Sequence, residues 1–165
     1  GITPNTAEAA AAGIAIDNGI RTDAQGRTSA ANVWASGDCA SFPLNGVQAR
    51  LESVGHAIDH AELVADNIMG AARDYVPAPW FWSDQYDTKL QIAGLNTGYD
   101  QIVTRGPVGD AVSFWYLKAG VLLAVDAMND SRAYMVGKRL IEQGKSPSKA
   151  ALADPATVMK DLLKA

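Results

Sequence analysis

The sequence predicts an α+β fold, and three observations carry that expectation. Across 53–69 the apolar residues Val54, Ala57, Ile58, Ala61, Val64, Ala65 and Ile68 recur at three- and four-residue steps, the period of a helix with one apolar face. After residue 88 the period falls to two: Leu90, Ile92 and Gly94 alternate with Lys89, Gln91 and Ala93, and β-branched and aromatic runs follow as far as Val125. Between the two regimes lies 71–79, which carries Pro77 and Pro79 and reads as a linker. The chain therefore divides into 1–75 and 76–165.

The elements follow in order. Asn5 or Thr6 caps a short alanine-rich helix, and Gly13 ends it. Ile14-Ala15-Ile16 and Ile20-Arg21-Thr22 flank Asp17-Asn18-Gly19, a hairpin signal, and Asp23-Ala24-Gln25-Gly26 makes a second turn. Val33-Trp34-Ala35 reads as a short strand that stops at Gly37-Asp38, and 40–49 reads as loop. Ser53 is placed to cap the long helix and Gly70 to end it. Past the linker, Asn96-Thr97-Gly98 is a turn, and 102–104, 112–117 and 121–125 read as strands. Lys118-Ala119-Gly120 closes the last two into a hairpin. Asn129 or Asp130 caps a helix running to about Gln143, which Gly144 ends. Ser146-Pro147 opens a short helix, and Asp154-Pro155 opens a last one with Val158, Leu162 and Leu163 as its apolar stripe. Residues 76–165 thus predict an antiparallel sheet of three or more strands with helices packed on it. The few short strands of 1–75 cannot easily bury two faces alone.

Composition narrows the class. With 48% hydrophobic and 19% charged residues the chain is globular rather than disordered. Its net charge of −4 gives no general nucleic-acid signal. Cys39 is the single cysteine, which excludes an internal disulfide and an internal Cys-x-x-Cys pair and fits a cytoplasmic location. No apolar run reaches the ~18 residues of a membrane span, and 1–20 lacks the pattern of a signal peptide. Cys39 reads as a small buried hydrophobe. His56 and His60 stand one helical turn apart without a third ligand nearby, so they read as polar packing residues and not as a metal site. Within 132–149, Arg132, Lys138, Arg139, Lys145 and Lys149 face only Glu142. That region would steer an acidic partner, or it is an ordinary solvated helix face.

Two segments carry the chemistry. At Gly37-Asp38 the glycine lets backbone approach a ligand, and the aspartate can accept hydrogen bonds from sugar-like hydroxyls. Thr28 precedes Val33-Trp34-Ala35-Ser36-Gly37-Asp38 at the distance seen in flavoproteins built from two dinucleotide domains. The opening Gly1-Ile2-Thr3-Pro4-Asn5-Thr6, the alanine-rich helix and Gly13-Ile14 resemble the stretch of those proteins that leads from the NAD domain back to the FAD domain. Trp80-Phe81-Trp82-Ser83-Asp84-Gln85-Tyr86 resembles the start of the C-terminal domain of FAD-dependent NADH–ferredoxin reductases, those of P450 and aromatic-ring dioxygenase systems.

The resemblance implies that 1–75 is the incomplete C-terminal segment of an FAD-binding domain and 76–165 the C-terminal ferredoxin-reductase domain. It gives Gly37 and Asp38 the ribityl chain of FAD, Ser53 and Val54 the helix start facing the flavin pyrimidine, and Trp82 the flavin face near the docking ferredoxin. No catalytic side chain and no metal ligand is implied. Similar reductases often carry Asn and Gln where this chain has His56 and His60. The implied activity passes electrons from NADH or NADPH through FAD to a [2Fe–2S] ferredoxin of an oxygenase. Because the sequence begins inside the pattern and holds no Gly-x-Gly-x-x-Gly, it reads as a fragment, inactive alone. The absence of any His after His60 argues against the disulfide reductases, whose last domain carries a catalytic His–Glu pair. Other readings are a related rubredoxin or nitrite reductase flavoprotein, or a stand-alone α+β interaction module, with a homodimer formed through exposed apolar surface of 1–75.

Overall fold

The computed structural model describes residues 1–107 and 110–164. It divides into two compact units, Gly1–Pro77 and Ala78–Ala165. The class is α+β. No described helix is long and apolar enough to cross a membrane.

In the first unit, helix α1 (Ala7–Ala11) closes with hydrogen bonds from Gly13 N to the Ala10 carbonyl and from Ile14 N to the Ala9 carbonyl. The Asn18-Gly19 turn brings Ile16 to Ile20 in one antiparallel bridge. Strand β1 (Ile20–Arg21) then pairs in parallel with β2 (Ala40–Leu44), and β2 pairs with β3 (Val47–Ala49) in an antiparallel hairpin. Residues 40–49 are therefore not loop. Asn45 and Gly46 both take positive φ, the backbone of a tight two-residue hairpin turn. Pro43 lies beyond the reach of β1, which pairs only with Ala40 and Ser41. The expected strand at 33–35 is a single bridge between Trp34 and Arg27. Asn32 turns through φ 62°, and the Val33 carbonyl is taken by Thr28, so no ladder extends. Gly37-Asp38 accordingly ends no strand but opens a 3-10 turn, Gly37–Cys39. Cys39 is half-buried, not a core residue, and its Sγ lies 3.6 Å from the Ser36 carbonyl.

Helix α2 (Val54–Ile68) is capped by Ser53, whose Oγ accepts from His56 N at 3.2 Å. Its orientation follows the apolar periodicity only at Val64. The face turned inward carries Gly55, His56, His60, Val64 and Asn67, while Val54, Ile58 and Ile68 of the apolar stripe stay exposed. His56 and His60 pack with Phe42 and Tyr75 in a ring cluster with centroids 4.5–5.4 Å apart. Asn67 binds the Gln25 and Arg73 carbonyls and accepts from Arg73 N, so its amide must face the protein. Residues 71–77 form no regular element but are tied down by these bonds and by Tyr75 N to the Ala24 carbonyl.

The second unit is a five-stranded antiparallel sheet. Its strands are β4 (Trp80–Gln85), β5 (Thr88–Gly94), β6 (Gln101–Arg105), β7 (Val112–Lys118) and β8 (Val121–Met128), in the order β4-β5-β8-β7-β6. Helix α3 (Ser131–Glu142), capped by the Asp130 carboxylate on Ala133 N, lies over one face. Ala93, Val103, Trp115, Leu117, Val125 and Ala127 meet Ala133, Val136 and Leu140 there. On the other face the Tyr116 hydroxyl donates to Asp126 at 2.8 Å.

Two helix starts differ from expectation. Helix α4 (Lys149–Ala153) is capped by Ser148, not by Ser146, because Ser146 Oγ accepts from Leu122 N. Asp154-Pro155 does not open a helix. The Arg105 guanidinium instead gathers the carbonyls of Leu152, Asp154, Pro155 and Thr157. A 3-10 helix forms only at Met159–Lys164, with Met159 and Leu162 buried and Val158 exposed.

Gly137 sits in α3 where an added Cβ would stand 2.4 Å from Val125 Cγ1 and 3.3 Å from Trp115 Cζ3. Gly137→Ala should therefore destabilise the second unit by about 1–3 kcal/mol, despite the ~1 kcal/mol that alanine gains in helix propensity; urea unfolding followed by tryptophan fluorescence measures it. In the first unit, burial and the charge of His56 push His60 down to about 4. The folded state then holds His60 neutral while the unfolded chain takes up a proton. Stability contributed by this group is full above pH ~6.5 and falls as pH drops toward 4, by about 3 kcal/mol in all. Neither ring nitrogen of His60 has a partner, so His60→Phe should flatten that dependence in denaturant titrations between pH 4 and 7.

Candidate functional site

The first unit gathers four of the five expected site residues. Gly37 lies against α2, 3.6 Å from Ala57 when measured from an ideal Cβ, so the 3-10 turn rests on the first turns of the helix. Arg50, following β3, donates from Nη1 to the Asp38 carbonyl at 2.8 Å and from Nη2 to Glu52 Oε1 at 2.9 Å. Glu52 Oε2 accepts from Ile2 N, and that bond, with the Arg50 charge, holds the Glu52 carboxyl below its ordinary range. Arg50 and Glu52 thus fix the backbone around Asp38, a role that sequence reading did not assign. The signal for it was the Arg-x-Glu spacing just before the helix cap.

Asp38 itself is half-buried, and its Oδ1 is sealed from solvent with no hydrogen-bond partner among the described residues. A sealed carboxylate oxygen without a donor costs free energy until one is supplied. At the start of α2 the Ser53 hydroxyl satisfies His56 N, while the N–H groups of Val54 and Gly55 have no acceptor within the helix. An acceptor carboxylate and a helix N-terminus bearing partial positive charge therefore stand on neighbouring elements. The donor set fits a ligand that offers hydroxyl donors on one side and accumulates negative charge on the other.

His56 is buried beside this site. Its Nδ1 lies 2.9 Å from the Tyr75 hydroxyl, and Nε2 is buried with no hydrogen bond of good geometry among the described residues. Burial holds the His56 imidazole below its ordinary value; the Gly37 carbonyl, then Asp38 and Asp59, act in the opposite direction. Burial likewise pushes Tyr75 up to about 12. Among the described residues no group of three or more His, Cys, Asp or Glu is placed to hold a metal ion.

Trp82 belongs to the second unit. It lies on β4 with 47% of its surface exposed, stacked on Trp80 at 5.3 Å and 20°. The Lys138 ammonium stands 5.2 Å from the Trp80 ring, so α3 braces this pair. A cleft of about 250 Å³ runs past Trp80, Trp82, Lys89 and Tyr134. The alternation of β4 sets both indoles on one side of the strand and Phe81 on the other.

Comparison with known proteins places these features in a family. Residues 80–163 match the family described as reductase C-terminal, and residues 1–61 match the pyridine nucleotide-disulphide oxidoreductases. The chain is 42% identical over 168 residues to the ferredoxin–NAD(P)(+) reductase fdr of Sphingomonas sp, an alignment covering 99% of this chain and 40% of that protein. The ferredoxin reductase for the CYP199A2 system of Rhodopseudomonas palustris superposes with a TM-score of 0.91 at 40% identity, over 98% of this chain and 41% of that one. Putidaredoxin reductase, in its covalent complex with putidaredoxin, superposes at 0.90 with 35% identity, over 99% of this chain and 40% of that one. The chain thus spans about two fifths of the length of these relatives. With its sheet, its aromatic β4 and the segment before them all matched, the chain belongs to the reductase C-terminal family.

Proposed function

We propose that this chain serves an FAD-dependent NAD(P)H:ferredoxin oxidoreductase, with 1–75 as part of its FAD-binding domain and 76–165 as its ferredoxin-reductase domain. The observation that carries the reading is the sealed, donorless Asp38 Oδ1 beside the open start of α2. In this reading the Gly37–Asp38 turn holds the ribityl hydroxyls. Ser53 and Val54 set the helix start toward the flavin pyrimidine, where the helix dipole favours negative charge. FAD, when bound, supplies the exchange between two-electron donation by NADH or NADPH and one-electron delivery. Trp82 covers the flavin face and excludes water. Its exposed ring, backed by Trp80, supports that role.

The proposed acceptor is a [2Fe–2S] ferredoxin of an oxygenase system. Exposed Arg132 and Arg139 on α3 give an acidic protein a basic surface to meet. The chain lacks a Gly-x-Gly-x-x-Gly turn, so these residues by themselves are expected to hold neither NADH nor FAD tightly.

In the flavin-loaded protein, Asp38→Ala should weaken FAD retention about tenfold or more, the loss of a charge-assisted hydrogen bond. Equilibrium dialysis against FAD reads it, and unchanged flavin content would sink the assignment. Trp82→Ala should slow ferredoxin reduction more than flavin reduction by NAD(P)H in stopped-flow traces. Equal slowing of both steps would remove its special role.

A further inference from the structure

The cations of 132–149 do not share one task. Arg132, Arg139 and Lys149 are exposed. Lys145 Nζ donates to the Leu163 carbonyl at 2.6 Å, a tie within the fold. Lys138 is turned elsewhere. It is half-buried, its ammonium stands 5.2 Å from the centre of the Trp80 ring, and Glu142 Oε1, one turn further along α3, lies 3.9 Å from it. Trp80 in turn stacks on Trp82 at 5.3 Å and 20°.

The strand register shows why this run of contacts matters. Trp80 and Trp82 stand opposite Ala93 and Gln91 of β5, and directly paired residues share a face of the sheet. Ala93 belongs to the core beneath α3, so both indoles rise on the α3 side. Strand β4 is an edge of the sheet, which leaves Trp82 with 47% of its surface exposed. The ring found against it is Trp80, and the group found over Trp80 is the Lys138 ammonium. Tyr134, one helical turn before Lys138, is buried and lines the same cleft, so this face of α3 is the one that meets the indoles. A cation over an indole face is attracted by the ring quadrupole, and the lysine stem covers apolar surface on the way.

We propose that Lys138 is a positioning residue for Trp82: through Trp80 it holds the exposed indole in one orientation and so sets the rate of the ferredoxin step, while docking of the acidic partner falls to Arg132 and Arg139. Its functional part rests on the role proposed for Trp82. A docking charge acts across a distance and is screened by salt, so its loss shows in the encounter. A ring brace acts by contact within the bound complex, so its loss shows in the limiting rate.

Two measurements on the flavin-loaded protein separate these roles. Stacked indoles couple, and far-ultraviolet circular dichroism reads the Trp80–Trp82 couplet as the signal that Trp82→Phe removes. Lys138→Gln should diminish that couplet and Lys138→Arg should restore it, because a guanidinium also stacks on an indole. An unchanged couplet in Lys138→Gln overturns the brace. Stopped-flow traces with a [2Fe–2S] ferredoxin then read the step itself. Lys138→Gln should lower the limiting rate of ferredoxin reduction about two- to fivefold, with Lys138→Arg restoring it. Flavin reduction by NAD(P)H and the salt dependence of the ferredoxin KM should stay as they were. Arg139→Gln is the contrasting variant, expected to raise that KM and flatten its salt dependence with the couplet intact. If Lys138→Gln instead raises KM, flattens the salt dependence and keeps the full limiting rate, Lys138 is a docking charge and the positioning role is overturned. If Trp82→Ala leaves the ferredoxin step unchanged, the role of Trp82 falls and the rate effect with it, and the couplet still decides whether Lys138 holds the indole pair.

Discussion

Each unit is built on close approaches that only a missing side chain permits. In the second unit Gly137 lets α3 descend onto β8 until its backbone meets Val125 and Trp115. That depth seals Leu140 and Ala133 against the sheet and leaves Trp115 with no exposed surface. It also sets the height at which Tyr134 and Lys138 reach the β4 edge, where Lys138 covers Trp80. In the first unit an equivalent contact is Gly26 against α2: a Cβ there would stand 2.3 Å from Val64 Cγ2. The turn that Asp23 closes by accepting from Gln25 N and Arg27 N is thus pressed directly onto the helix.

Polar groups, rather than apolar ones, decide much of what surrounds these contacts. Arg105 is nearly buried, and its guanidinium gathers the carbonyls between α4 and the last 3-10 helix. A planar cation with five donors suits such a cluster of carbonyl acceptors. The same economy operates in the first unit, where Asn67 accepts from or donates to both flanking loops and Arg50 ties Asp38 to Glu52. Such ties keep segments without regular structure in place, and the site residues lie on or beside them.

The inward face of α2 connects this architecture to the site. His56 and His60 replace what would ordinarily be apolar core, and Phe42 and Tyr75 close around them. Buried imidazoles without full hydrogen bonding cost stability. The outward stripe of Val54, Ile58 and Ile68 stays uncovered within this chain.

Local signals in the sequence determined the elements they belong to. The Ser53 and Asp130 caps, the Ala119-Gly120 hairpin turn and the period-two runs of the second unit all act within a few residues, so neighbours alone suffice to specify them. Motifs likewise single out Gly37, Asp38, Ser53 and Trp82 as candidates, and the roles proposed for them rest on those motifs. Which face of α2 turns inward was not legible, because its apolar stripe is real but the partners that decide its orientation, Phe42, Gln25, Arg73 and Tyr75, lie 6 to 42 residues away from their helix contacts. At Asp154-Pro155, where no helix forms, the chain is likewise held from afar: Arg105, some 50 positions earlier, binds its carbonyls. Tertiary structure alone brought the Tyr75 hydroxyl to the His56 ring, 19 positions apart in the chain.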